Sequence, residues 1–180
     1  VGTNGYFTQL NRNRPDPDLK PAFVAYSVNP QVHAFDNASL IETLPVLGET
    51  VKSARAFVPG AQIAVTPITL KIGFNPDATA PDAPTPPGQL PRRVDLRQMS
   101  LFGAGWTLGA IASLALAGAD SLTFYETTGW LGVMERASGS PLPDLFPSIP
   151  GGVFPMYHVF ADVGEFVGGK VLGFSSSHPL

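Results

Sequence analysis

Short β-branched and aromatic runs alternate along this chain with helix-length segments, and that order restricts the fold more than any other feature. Phe23-Val-Ala-Tyr-Ser-Val28, Gln62-Ile-Ala-Val-Thr66 and Ser121-Leu-Thr-Phe-Tyr125 read as strands, each followed by turn-forming residues. Gly5-Tyr-Phe-Thr-Gln-Leu10 reads as a fourth and Lys170-Val-Leu-Gly-Phe174 as a weaker fifth. Between them helices are expected over Ala38–Phe57, capped by Asn37 or Ser39 and interrupted at Pro45; over Leu96–Ala117, capped by Asp95; and over Phe154–Val167. Strands joined by helix-length crossovers pair in parallel, so the expected fold class is α/β, built of parallel (βα) units in an open or closed sheet.

The connections fall into two kinds. Pro59-Gly60, Gly118 and Gly168-Gly169 offer left-handed caps where a helix turns into the next strand, which makes the connections at strand N-termini short. Long ones follow strand C-termini: Gly73–Arg93 carries six prolines and Gly129–Pro155 five. In (βα) barrels the loops after strands hold the binding and catalytic groups, so the functional surface is expected there. A complete barrel takes about 250 residues. Four convincing (βα) units would form half of one, whose open edges call for a missing N-terminal barrel half or a second copy of the chain.

Composition removes several function classes. At 44% apolar and 14% charged residues the chain is that of a folded protein. A net charge of -3, with basic residues scattered except for Arg92-Arg93, provides no footprint for nucleic acid or an anionic membrane. The absence of cysteine excludes thiol chemistry and thiolate metal sites. Met99–Ala119 runs without a charge for long enough to span a bilayer, but its seven Gly, Ser and Thr residues read better as a close-packed helix. No targeting signal is visible, which leaves the compartment open and favours the cytoplasm over secretion. There is no dinucleotide fingerprint, phosphate-binding loop, nucleophile elbow or paired-histidine zinc motif, so neither cofactor nor metal is expected.

The candidate chemistry lies at strand ends. Glu126 directly follows an apolar strand, where a carboxylate is paired, hydrogen-bonded or functional; backbone amides or Arg136 are the bland partners. Trp130 lies close by. His33 and Asp36 follow the strand ending at Val28 and could form a base held in one tautomer, although Asp36 and Asn37 could equally cap the next helix. Asn29 in the same loop, and Asn11 and Arg12 after the first strand, could bind sugar hydroxyls or a carboxylate. Thr66 and Thr69 are weaker candidates.

Tyr6-Phe-Thr-Gln-Leu-Asn-Arg12, Ala25-Tyr-Ser-Val-Asn-Pro-Gln-Val-His-Ala-Phe-Asp-Asn37, Arg97-Gln-Met-Ser-Leu-Phe-Gly-Ala-Gly-Trp106, Tyr125-Glu-Thr-Thr-Gly-Trp130 and His158-Val-Phe-Ala-Asp-Val-Gly-Glu-Phe166 resemble D-apionate lactonase-like proteins. More broadly, the order of strand ends resembles the C-terminal half of the TIM barrels of clan A glycoside hydrolases. The resemblance implies that residues 1–168 are that half-barrel, with strands five to eight at Val1–Leu10, Phe23–Val28, Gln62–Thr66 and Ser121–Tyr125, and that 169–180 begin an appended β-domain or terminal strand. It implies a hydrolase of bacterial carbohydrate metabolism acting on a small sugar or sugar lactone. Catalysis would fall to Glu126, His33 or Asp36, with Asn11, Arg12, Asn29 and Trp130 holding substrate. Two departures from the glycosidase pattern follow: the acid/base Glu would precede Val1, and the seventh-strand nucleophile position falls at Thr66–Thr69, which has no carboxylate. The alternatives are a glycosidase with its acid upstream and a non-catalytic carbohydrate-binding barrel.

Overall fold

The computed structural model describes residues 2–173, with the backbone alone for 2–4 and 17. Four strands, β1 (Gly2–Tyr6), β2 (Phe23–Val28), β3 (Gln62–Ile68) and β4 (Ser121–Phe124), form one all-parallel sheet in sequence order. Simple sequential order with helical crossovers is the arrangement of a (βα) barrel wall.

Register sorts the side chains into two faces. Tyr26, Val65 and Leu122 lie side by side, as do Ala25, Ala64 and Ser121, and successive residues of a strand point to opposite sides. The first row belongs to the core, with Val24, Tyr26, Ile63 and Val65 fully buried. The second row is small and only partly covered, and Phe23, on the same face, is 51% exposed. The outer face is thus packed by helices and the face that would line a barrel interior is open.

The helical layer comprises α1 (Phe7–Arg12), α2 (Asn37–Glu42), α3 (Leu44–Phe57), α4 (Leu101–Leu116) and α5 (Pro155–Gly164), with α4 packed between α3 and α5. Trp106 of α4 is completely buried and donates its indole N–H to the Leu40 carbonyl at 3.1 Å. Gly103 lets α4 sit close: a Cβ there would lie 2.0 Å from the Arg97 carbonyl oxygen. No helix among the described residues is long and apolar enough to cross a membrane.

Several expected boundaries move, each for a local reason. The first strand ends at Tyr6 rather than Leu10, because Gln9 folds back to accept the Tyr6 N–H and starts α1. The helix expected over 38–57 is two helices. Asp36, not Asn37 or Ser39, caps the first, and Pro45 sits in the first turn of the second. The helix expected over 96–117 is likewise divided: Asp95 caps a 3-10 turn, Leu96–Met99, and Ser100 caps α4 by accepting the Gly103 N–H. Residues 170–173 form no strand, and Phe174 onward lies outside the described residues. Gly60 and Gly118 take the left-handed conformation expected of helix stops, with φ of 84° at both.

The rim at the strand N-termini is tied by Arg55, which donates to the carbonyls of Ala61 and Gly118 and to Asp120. Asp120 also accepts the Ile63 N–H, so α3, β3 and β4 share one clasp. Backbone and Arg55 hydrogen bonds hold the Asp120 carboxyl below its ordinary pKa.

Candidate functional site

The opposite rim, at the strand C-termini, carries the two long loops. Gly73 N–H donates to the Tyr6 hydroxyl at 2.9 Å, and the Tyr6 ring packs at a tilt against Phe74, which draws the loop after β3 towards β1. The loop after β4 begins with two three-residue strands, β5 (Glu126–Thr128) and β6 (Gly132–Met134), paired in parallel.

A buried clasp fastens the loops to one another. Arg97 grips both oxygens of Asp95 at 2.9 and 2.8 Å, and reaches the Gln31 side chain, the Phe35 carbonyl and Asn37. Gln31 is buried between the Leu70 carbonyl and Asp95, donating to each at 2.7 Å. Burial alone would push the Asp95 pKa up, but hydrogen bonds from Arg97 and Gln31 outweigh it and hold the carboxyl below its ordinary value. The loops after β2 and β3 and the segment leading into α4 are thereby one unit.

Of the clefts on this rim, two hold sequence candidates. The larger, about 940 Å³, is lined by Arg12, Asn29 and His33 together with Gln9, Asp77 and Arg92. The smaller, about 210 Å³, is lined by Glu126, Trp130, Arg93, Glu135 and Arg136. They share no lining residue, but the adjacent Arg92 and Arg93 stand one in each. The sequence candidates therefore divide into Arg12, Asn29 and His33 on one side and Glu126 and Trp130 on the other.

Asn11 and Asp36 line neither cleft. Asn11 accepts two hydrogen bonds from Arg14 in a local turn. Asp36 holds the Ser39 N–H on one oxygen and the Ser39 hydroxyl on the other, and these bonds keep its carboxyl below the ordinary pKa. No hydrogen bond or ion pair links Asp36 to His33 among the described residues, so the base held in one tautomer is not assembled. Thr69 donates to the Lys71 carbonyl two residues on, and the end of β3 bears no carboxylate.

Glu126 owes its orientation to its neighbour. Tyr125 has φ of 48°, a left-handed conformation that costs a non-glycine residue about 1–2 kcal/mol. Neighbours in a strand normally diverge, yet Phe124 and Tyr125 both pack against Phe160 of α5. The Tyr125 hydroxyl shares a buried hydrogen bond with Thr107 of α4 at 2.8 Å, and burial pushes its pKa up. The twist packs two aromatic rings in succession and leaves Glu126 exposed at the cleft. The Glu126 carboxylate has no ion-pair or hydrogen-bond partner among the described residues, Arg136 included.

The wall of the smaller cleft is held by side-chain hydrogen bonds and ring packing. Trp130 donates its indole N–H to Ser140 at 2.9 Å and packs on Phe146. Glu135, 1% exposed, accepts the Arg136 N–H at 2.7 Å and the Ser148 hydroxyl, riveting the loop to itself. Glu135 escaped sequence reasoning because it sits in a loop without periodicity; Arg93 was visible only as half of the adjacent basic pair. Among the described residues no group of three or more His, Cys, Asp or Glu is placed to hold a metal ion.

The model of the D-apionate lactonase TIM barrel domain matches residues 1–168. The chain is also similar to the D-apionate lactonase of Brucella anthropi, at 28% identity over 179 residues, which cover 99% of this chain and 28% of the relative's length. A parallel sheet in sequential order, helices on one face and long loops at the strand C-termini agree with that match: the chain belongs to the D-apionate lactonase TIM barrel domain family.

Proposed function

We propose that this protein opens sugar lactones, with Glu126 as the general base. The observation that carries the reading is an unpartnered carboxylate at the end of β4, in a small cleft walled by Trp130. At about 210 Å³ the cleft is below the roughly 300–1,000 Å³ of sites for drug-sized ligands, which suits a small ring. Glu126 takes a proton from water as its oxygen adds to the acyl carbon, and the carbonyl electron pair moves onto oxygen. The tetrahedral species then collapses, the ring C–O bond breaks, and the departing oxygen takes the proton back from Glu126. The product is a hydroxy acid, which ionises to a carboxylate at neutral pH.

The other sequence candidates keep supporting roles. Arg12, Asn29 and His33 would hold the hydroxylated end of a longer substrate in the larger cleft, and His33 is the alternative base. Asn11 and Asp36 act through the turns they close, one after β1 and one at the head of α2. The substrate of the similar lactonase, judged by its name, is the first to assay. Stoichiometric proton release from D-apionolactone by the intact protein is the expected result; no release from it or from other small sugar lactones would sink the reading.

A non-catalytic carbohydrate-binding barrel is the second reading, favoured by the missing carboxylate at the end of β3. It calls for sugar-dependent thermal stabilisation without product.

A further inference from the structure

The arginines of the described chain fall into two groups. Arg12, Arg55, Arg92 and Arg97 each face an aspartate, at 3.8, 2.9, 3.6 and 2.8 Å respectively. Arg14 is engaged by Asn11 and lies over the Phe57 ring. The guanidinium groups of Arg93 and Arg136 have neither ion pair nor hydrogen bond among the described residues, and both line the Glu126 cleft. Their coincidence is not one of sequence, since Arg93 ends the loop after β3 and Arg136 lies in the loop after β4.

The backbone makes room for one of them. Gly129 has φ of 84°, and a Cβ there would lie 3.0 Å from Arg136 Nε, so the guanidinium rests directly against the glycine. The nearest buried acid does not neutralise it: Glu135 is engaged by the Arg136 backbone N–H and Ser148 and forms no ion pair with either arginine. Two free planar forks at one cleft are the donor set that binds a carboxylate, by paired N–H···O bonds that a neutral hydroxyl cannot match.

We infer that Arg93 and Arg136 form a carboxylate clamp beside Glu126, which receives the sugar-acid product of the ring opening. The inference rests on the proposed lactonase reading for the identity of the acid. Before the ring opens, the same two forks face the oxygen on which negative charge develops; afterwards they hold the carboxylate until it leaves.

Calorimetric titration of the intact protein tests this with two probes, D-apionate and apiitol, which carries CH2OH in place of the carboxylate. D-apionate should bind at least about tenfold more tightly than apiitol. Arg93→Gln and Arg136→Gln should each lower D-apionate affinity by about tenfold and leave apiitol binding unchanged. Salt reads the same property without a substitution: D-apionate affinity should fall with ionic strength and apiitol affinity should not. Equal affinity for both probes, or D-apionate binding indifferent to both substitutions and to salt, overturns the clamp, even in a protein that opens lactones. Arginine-dependent D-apionate binding in a protein that opens no lactone supports the clamp and removes the hydrolase reading.

Discussion

Tyr125 is a strained residue directly beside the proposed base. Its left-handed backbone is held by the burial of its ring and by the hydroxyl it shares with Thr107, and the reversal exposes the next side chain, Glu126. Tyr125→Phe removes one buried hydrogen bond and should cost about 1 kcal/mol in urea unfolding, because Thr107 keeps the Gly103 carbonyl as acceptor. A loss several times larger would mean that the hydroxyl does more than close that bond. Gly129→Ala is a harsher change. It forces a left-handed alanine, worth about 1–2 kcal/mol, and shifts the Arg136 guanidinium slightly, so stability should fall and D-apionate affinity should weaken less than in Arg136→Gln. Glu126 was legible from its place at the end of an apolar strand. Its exposure was not, since nothing in the run Ser121–Tyr125 foretells that Tyr125 reverses the alternation. Asp36 carried both readings in the sequence, and Ser39, three residues on, is the partner that made it a cap.

At the scale of elements, the clasp of Gln31, Asp95 and Arg97 decides how loops from different strands are held. Arg97→Leu leaves the Asp95 carboxylate buried without its partner, a change worth about 3–5 kcal/mol of stability. It should lower the melting temperature sharply. The clasp also has an acid limb. Because the Asp95 pKa is lower in the folded protein than in the unfolded chain, its contribution is complete above the unfolded value of about 3.9 and disappears as pH falls through the folded one. Asp95→Asn should therefore be less stable than the parent at neutral pH and converge on it in acid; a constant difference down to low pH would contradict that role. In the sequence Asp95 is the expected cap of one long helix; it caps only the 3-10 turn Leu96–Met99, and its second oxygen is bonded across long stretches of chain to Gln31. Spacing cannot reveal such a partner. The split of the expected helices is local by contrast, since Pro45 sits in the first turn of α3 and Ser100 caps α4.

For the molecule as a whole, the two rims of the sheet have different tasks. The N-terminal rim is closed by Arg55 and Asp120, and the C-terminal rim carries long loops with clefts between them. Alternating strands and helices made this division legible, because short glycine-capped returns and long proline-rich connections fall on opposite sides of a parallel sheet. Which candidates share a cleft was not legible, for it depends on strand register and on the paths of the long loops. The core sets a further limit at high pH. Burial raises the Tyr26 pKa to about 12, against partial relief from Thr50 and Arg55. Its contribution is thus intact below the unfolded value of about 10 and lost as pH climbs towards 12. Tyr26→Phe should flatten the alkaline unfolding curve over that interval.

Whether the lactone is opened in the cleft after β4 is tested most directly by proton release from D-apionolactone by the intact protein carrying Glu126→Gln. Loss of a general base should lower kcat by about 10²–10⁴-fold, with the melting temperature unchanged because Glu126 is exposed and unpartnered. Turnover equal to that of the parent protein would contradict it.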